Sequence, residues 1–179
     1  MTRGILLPIV ATSGKKWEEM GRPAHSGTPV FRGANKVTLD AKGRMVLPTR
    51  YRERLVERCQ GNVVVTVDRD ECLLLYPLPD WEEIERKLMR LPTLNPQARR
   101  LQRLMVGHAT DVELDGQGRL LVPPKLREFA HLDRNVILIG QGTRFELWDE
   151  QRWNERRDDW LRAPDAPADL PAELESLSI

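Results

Sequence analysis

The stretch "VTLDAKGRMVLPTRYRE", Val37 to Glu53, returns about 75 positions later as "VELDGQGRLLVPPKLRE", Val112 to Glu128. Val37, Leu39, Asp40, Gly43, Arg44, Pro48, Arg52 and Glu53 recur, in that order and at that spacing, as Val112, Leu114, Asp115, Gly118, Arg119, Pro123, Arg127 and Glu128. An apolar pattern alone does not reproduce an Asp, a Gly and two Arg at fixed intervals. The chain therefore carries an internal duplication, and that duplication governs its fold.

Working outward, each copy repeats one order of elements. A short strand ("KVTLD" or "DVELD") meets a glycine-containing turn ("AKG" or "GQG") and a second apolar strand follows ("RMVLP" or "RLLVP"). The Pro ends that strand and opens a short helix, "TRYRERLVERC" or "PKLREFAHL", because Pro is tolerated in a first helical turn. Two more strands come next, "NVVVTVD" with "CLLLYP" and "NVILIG" with "RFELWD". A helix closes each unit: "DWEEIERKLMRL", with Asp80 as the expected N-cap, and "DEQRWNERRDDWL", with Asp149 in that role. Between the units, "NPQARRLQRLMVG" predicts a linking helix with Asn95 as N-cap, Pro96 first inside, and Leu101, Leu104 and Met105 on one face.

Four short strands cannot close a sheet by themselves, so each unit needs cover for its apolar face and its edges, and the other copy supplies it. The expected fold is α+β and mainly β: a β-barrel with pseudo-two-fold symmetry, half from each copy, with flanking helices. The expected divisions are an N-terminal arm over 1–30, a first unit over 31–90, a linking helix over 91–109, a second unit over 110–161 and a tail over 162–179. The arm is rich in Ser, Gly, Pro and Lys without a period; the tail, "APDAPADLPAELESLSI", is acidic and rich in Pro and Ala, a composition expected to stay disordered.

Composition excludes several classes. With 40% hydrophobic and 31% charged residues in 179, the chain is of the soluble globular type. Cys59 and Cys72 form no CxxC pair and there are three histidines, which speaks against a zinc site or a disulfide framework and fits a reducing cytoplasm. No apolar run approaches the roughly 20 residues of a membrane span. "GILLPIVA", Gly4 to Ala11, is too short and Pro-interrupted for a signal peptide. His25, His108 and His131 stand near no Ser or Cys nucleophile motif, and "GQGR" is no phosphate loop, so neither an enzyme, a cofactor nor a small-molecule ligand is expected.

The net charge of +1 conceals an uneven distribution. Lys36 to Arg58 holds seven Lys or Arg against three Asp or Glu, whereas Asp111 to Arg134 holds four against five. The first copy thus reads as a cationic surface suited to a polyanion.

"FRGANKVTLDAKGRMVLPTRYRE", with the second "DGQGR", resembles the MraZ family, whose members carry two AbrB-like swapped-hairpin modules, each marked by Asp-x-x-x-Arg; the likeness covers Phe31 to about Leu161. It implies a double swapped-hairpin fold and a cytoplasmic, nucleoid-associated transcriptional regulator. Such a protein would bind double-stranded DNA at direct repeats upstream of its own division and cell-wall operon, as a ring-shaped homo-oligomer. Val30 occupies the place of that family's initiator, so the residues before it are expected to be an upstream misreading of the gene or a lineage-specific arm.

Arg44 and Arg52 match arginines that the AbrB-like resemblance assigns to DNA; Lys42, Arg50, Lys36 and Arg32 are added on charge and proximity. Arginine suits phosphate and, through its fork, guanine in the major groove, which a β-ribbon or turn can enter. Asp40 with Gly43, and Asp115 with Gly118 and Arg119, are read as turn formers, the Asp and Arg closing a salt bridge. In the second copy, where Gln117 replaces Lys42, that structural reading is preferred; in the first, DNA contact is. "RRLQR", Arg99 to Arg103, reads as the polar face of the linking helix. Trp148 reads as core, and Trp153 with Trp160, seven apart on one helical face, as interface candidates. A non-enzymatic protein-interaction scaffold is the alternative function.

Overall fold

The computed structural model describes residues 30–163; the expectations for the arm before Val30 and for the tail beyond Ala163 lie outside the described residues. The order is β1 (Phe31–Thr38), β2 (Arg44–Val46), α1 (Thr49–Cys59), β3 (Asn62–Val67), β4 (Leu73–Pro77), α2 (Leu78–Met89) and α3 (Pro96–Met105), then β5 (Thr110–Glu113), β6 (Arg119–Leu121), α4 (Pro124–Phe129), β7 (Asn135–Gly142), β8 (Arg144–Asp149) and α5 (Glu150–Arg162).

Six strands form one antiparallel sheet in the order β1-β7-β8-β4-β3-β5, and β2 pairs with β6 as a separate two-stranded ribbon. The first strand of each unit crosses to the other unit. β1 lies along β7, from Phe31 opposite Gly142 to Thr38 opposite Asn135, and β5 lies along β3, with Val112 opposite Val63. The closed barrel expected from the duplication is not formed, because the sheet ends at β1 and β5. The ribbon strands have three residues each and spend their ladder bonds on one another, Met45 opposite Leu120; between the first strand and the ribbon there is only an isolated bridge, Leu39 to Met45.

Strand alternation sorts side chains to the two sheet faces. Val63, Val65, Leu73, Leu75, Val136, Leu138, Phe145 and Leu147 face a main core closed by Met45 and Leu120 of the ribbon, Tyr51 and Leu55 of α1, and Leu126 of α4. Val64, Leu74, Tyr76 and Trp148 point the other way, under Trp81 of α2 and partly buried Met105 and Trp153. That double cover explains why "NVVVTV" and "LLLYP" are continuously apolar rather than alternating.

The Asn95 cap of α3 and the Asp149 cap of α5 form as expected, each carboxyl or amide oxygen accepting two backbone N–H groups. Asp80 does not cap α2. The helix begins at Leu78 behind Pro77, and the Asp80 carboxylate is taken by Arg58, whose Nε donates to Oδ2 at 2.8 Å and whose Nη2 donates to Oδ1. α4 is shorter than "PKLREFAHL" because His131 adopts a left-handed φ of 52°. α3 turns Ala98 inward and half-buries Leu101, Leu104 and Met105, leaving Arg100 and Arg103 exposed.

Candidate nucleic-acid interface

The two Asp-x-x-x-Arg turns are built alike. In the first, Asp40 Oδ1 accepts the backbone N–H groups of Lys42 and Arg44, both at 2.9 Å, and Oδ2 accepts Arg44 Nε–H at 2.8 Å. In the second, Asp115 Oδ1 accepts Gln117 and Arg119 N–H at 2.9 Å each, and Oδ2 accepts Arg119 Nε–H at 2.7 Å. Gly43 and Gly118 take φ of 82° and 71°, a region that a side chain disfavours. The backbone N–H of Arg44, before the Arg44 guanidinium and the N–H of Lys42, holds the Asp40 carboxyl down at about 2 against the opposing pull of desolvation. Asp115 is lowered in the same way, chiefly by the N–H of Arg119. The salt-bridge reading therefore holds for both copies. It engages the Nε edge of Arg44 and of Arg119; among the described residues their Nη groups make no hydrogen bond.

The ribbon carries these arginines on its outer face. Arg44 stands opposite Leu121 and Val46 opposite Arg119, while Met45 and Leu120 between them are buried. Val46 is 53% and Leu121 46% exposed, so two aliphatic side chains accompany two arginines on one surface. Lys42 is exposed at the tip of the first turn.

The remaining residues expected at the interface are dispersed. Arg52 leaves its own unit: Nη1 donates to the Gln117 carbonyl at 3.3 Å, Nη2 donates to Thr49 Oγ1 at 2.8 Å, and the side chain packs on Gly118. Arg50 is tied to Asn35 Oδ1 at 3.1 Å and to the Tyr51 hydroxyl at 2.9 Å. Arg32 and Lys36 fall on the sheet face opposite Phe31 and α1, because positions 31, 33, 35 and 37 point to the main core; Lys36 there bridges Glu150 of α5 at 2.7 Å. Arg32 and Lys36 thus lie on the other face of the strand from Arg50: proximity along the strand is undone by its alternation. Arg54 donates to the Val30 carbonyl at 2.6 Å, and Arg58 to Asp80.

Sequence reading missed Arg127, which lies against Gly43 of the first turn as Arg52 lies against Gly118 of the second. The signal was present, since the repeat keeps a helix arginine and a turn glycine together in both copies.

Trp148 is buried, Trp153 partly so, and Trp160 is 52% exposed; their rings meet in one cluster, Trp153 edge-on to Trp160 at 5.7 Å between centroids. No helix of the described residues is long and apolar enough to cross a membrane.

A duplicated α+β unit whose paired turns are pinned by Asp-x-x-x-Arg defines the class of protein. The family pattern described as "MraZ protein, putative antitoxin-like" matches residues 30–104 and again 105–166, and the chain belongs to that family. It is 59% identical over 150 residues to a protein of Thioalkalivibrio sulfidiphilus named "Transcriptional regulator MraZ", covering 84% of this chain and 100% of that one. Proteins of the same name match at 59% in Halorhodospira halophila (84% of this chain, 100% of that one) and at 54% in Pseudomonas aeruginosa (83% and 99%).

Proposed function

We propose that this chain is a sequence-specific DNA-binding transcriptional regulator that contacts double-stranded DNA through the outer face of the β2–β6 ribbon and its turns. The observation that carries this reading is the presentation of Arg44. Its turn is pinned by Asp40, its Nε edge is occupied, and its Nη edge is left on an exposed surface beside Lys42, Val46 and Leu121. An arginine held by one edge has already lost much of its rotamer freedom, so less is given up when the other edge meets a phosphate or a guanine. Val46 and Leu121 suit thymine methyl groups in the same groove. The relatives' shared name, Transcriptional regulator MraZ, points the same way.

The finer parts of the reading belong here too: swapped-hairpin modules, for which the β1 to β7 and β5 to β3 crossings speak; direct repeats upstream of the protein's own operon; a cytoplasmic, nucleoid-associated site of action; and a ring-shaped homo-oligomer. In a ring, several Arg44 turns at fixed spacing gain by avidity on repeated half-sites. Lys42 and Arg44 are the direct contacts in this account, with Arg50 and Arg52 acting through the parts they hold; Lys36 and Arg32 drop out of it. The scaffold alternative draws on exposed Trp160 and Leu161 at the end of α5.

A mobility-shift titration on the protein's own upstream region against a scrambled duplex, at two salt concentrations, tests the reading. Preference for the native fragment that survives the higher salt is expected. Equal binding that vanishes with salt would leave only a polycation effect.

A further inference from the structure

Each turn is held by two sets of contacts, one from its own unit and one from the other. The own-unit set is the Asp carboxylate. The second set crosses over. The Gly43 carbonyl of the first turn accepts the N–H of Val122 at 2.9 Å, and the Gly118 carbonyl of the second accepts the N–H of Leu47 at 3.3 Å. Over the same glycines lie the arginines of the opposite units. A Cβ placed on Gly43 would stand 2.5 Å from Arg127 Cζ and 2.6 Å from its Nε; one placed on Gly118 would overlap Arg52 Cδ. These glycines therefore serve two demands at once, a positive φ and a flat seat for a guanidinium.

Neither arginine is placed there by an ordinary charge pairing. Among the described residues neither Arg52 nor Arg127 forms a salt bridge, and the Nε of each is buried without a hydrogen-bond partner. A buried donor without an acceptor is costly, and this cost is carried twice, at equivalent positions of a duplication. An explanation is needed that applies to both.

We propose that Arg127 and Arg52 are crossed positioning residues: Arg127 of the second unit holds the first turn, with Lys42 and Arg44, in register, and Arg52 of the first unit holds the second turn, with Gln117 and Arg119. This deepens the DNA reading above and rests on it for its functional consequence, though not for the clamp itself. It also answers why the stretch occurs twice, since neither turn is complete within its own copy. The two clamps are unequal. Arg52 is anchored by Thr49 Oγ1 and the Gln117 carbonyl, whereas the position equivalent to Thr49 is Pro124, and the Arg127 guanidinium makes no hydrogen bond among the described residues. The first turn is accordingly the looser of the two and gains a third cation beside Lys42 and Arg44.

Amide hydrogen exchange on the full chain, resolved by NMR, tests the clamp without DNA. Arg127→Ala is expected to speed exchange of the Lys42, Gly43 and Arg44 amides by about three- to tenfold while leaving Gln117, Gly118 and Arg119 near their original rates. Arg52→Ala is expected to do the reverse. If each variant loosens the turn of its own unit, or both turns equally, the proposal is wrong. Should either alanine variant fail to fold, Arg127→Lys and Arg52→Lys carry the same crossed comparison, with smaller expected changes; the same uncrossed pattern in them overturns the proposal. A mobility shift on the same proteins separates the clamp from the DNA reading. Crossed exchange together with weaker DNA binding by Arg127→Ala than by Arg52→Ala supports both. Crossed exchange with unchanged DNA binding keeps the clamp and removes the turn from the DNA reading.

Discussion

The two Asp-x-x-x-Arg turns share their internal hydrogen bonds almost to the tenth of an ångström, yet they differ in what surrounds them. The first has Lys42 at its tip and the loosely held Arg127 above its glycine; the second has Gln117 and an Arg52 anchored at two points. Counting charges along the chain assigns Arg52 to the first turn, but in space it serves the second. What remains as a true difference is Lys42 against Gln117 and one tight clamp against one loose one. The internal geometry of the motif is thus the same in both copies, and the difference lies in the residue at the tip of each turn and in the arginine that the opposite unit brings to it.

The sharpest way to break this comparison is at the arginines themselves. Arg44→Ala is expected to weaken binding to the native upstream fragment by about 1–3 kcal/mol, or roughly five- to 150-fold, and Arg119→Ala by distinctly less. Equal losses in two folded variants would refute the preference for the first turn. Next in size is the glycine seat: Gly43→Ala meets both a strained φ and the Arg127 guanidinium, and is expected to lower stability to denaturant by about 1–2 kcal/mol, whereas Gly116→Ala in the second turn, with open space around it, should leave the unfolding midpoint in place.

Smaller effects sharpen the contrast. Lys42→Ala should reduce the salt slope of DNA binding by about one, with little change for a substitution at Gln117; an unaltered slope removes Lys42 from the phosphate contacts. Asp40 gives a test by pH. Its carboxyl is held at about 2 in the fold, below its unfolded value, so its contribution is complete above the ordinary carboxylate range, and is lost as pH falls from about 4 through 2. Faster exchange of the Lys42 and Arg44 amides should appear only in that acid window; loosening already at neutral to mildly acidic pH would sink the assignment. Least of all, Lys36→Ala, which faces Glu150 on the far side of the sheet, should leave DNA affinity unchanged.

Much of this was legible without coordinates. Asn95 and Asp149 act as caps where their side chains precede an apolar periodic run, and Gly43 and Gly118 sit at turns that need a positive φ. Those are local effects, settled within four residues. Asp80 was misread because capping competes with a distant partner, Arg58, that no spacing reveals. Arg32 and Lys36 stand near Arg44 in sequence, but the two-residue period of β1 turns them to the face away from the main core.

By itself the sequence determined the duplication, the order of strands and helices, the internal geometry of each turn and the excess of cations in the first copy, since each of these depends on neighbouring residues or on a count. Only the tertiary structure decided that β1 joins β7 and β5 joins β3, that the sheet stays open beside a three-residue ribbon, and that each turn is seated by an arginine of the other copy. The physical reason is that strand partners and guanidinium seats are chosen among chemically equivalent sites in two nearly identical units. That choice is settled by packing over the whole core rather than by any residue's immediate neighbours.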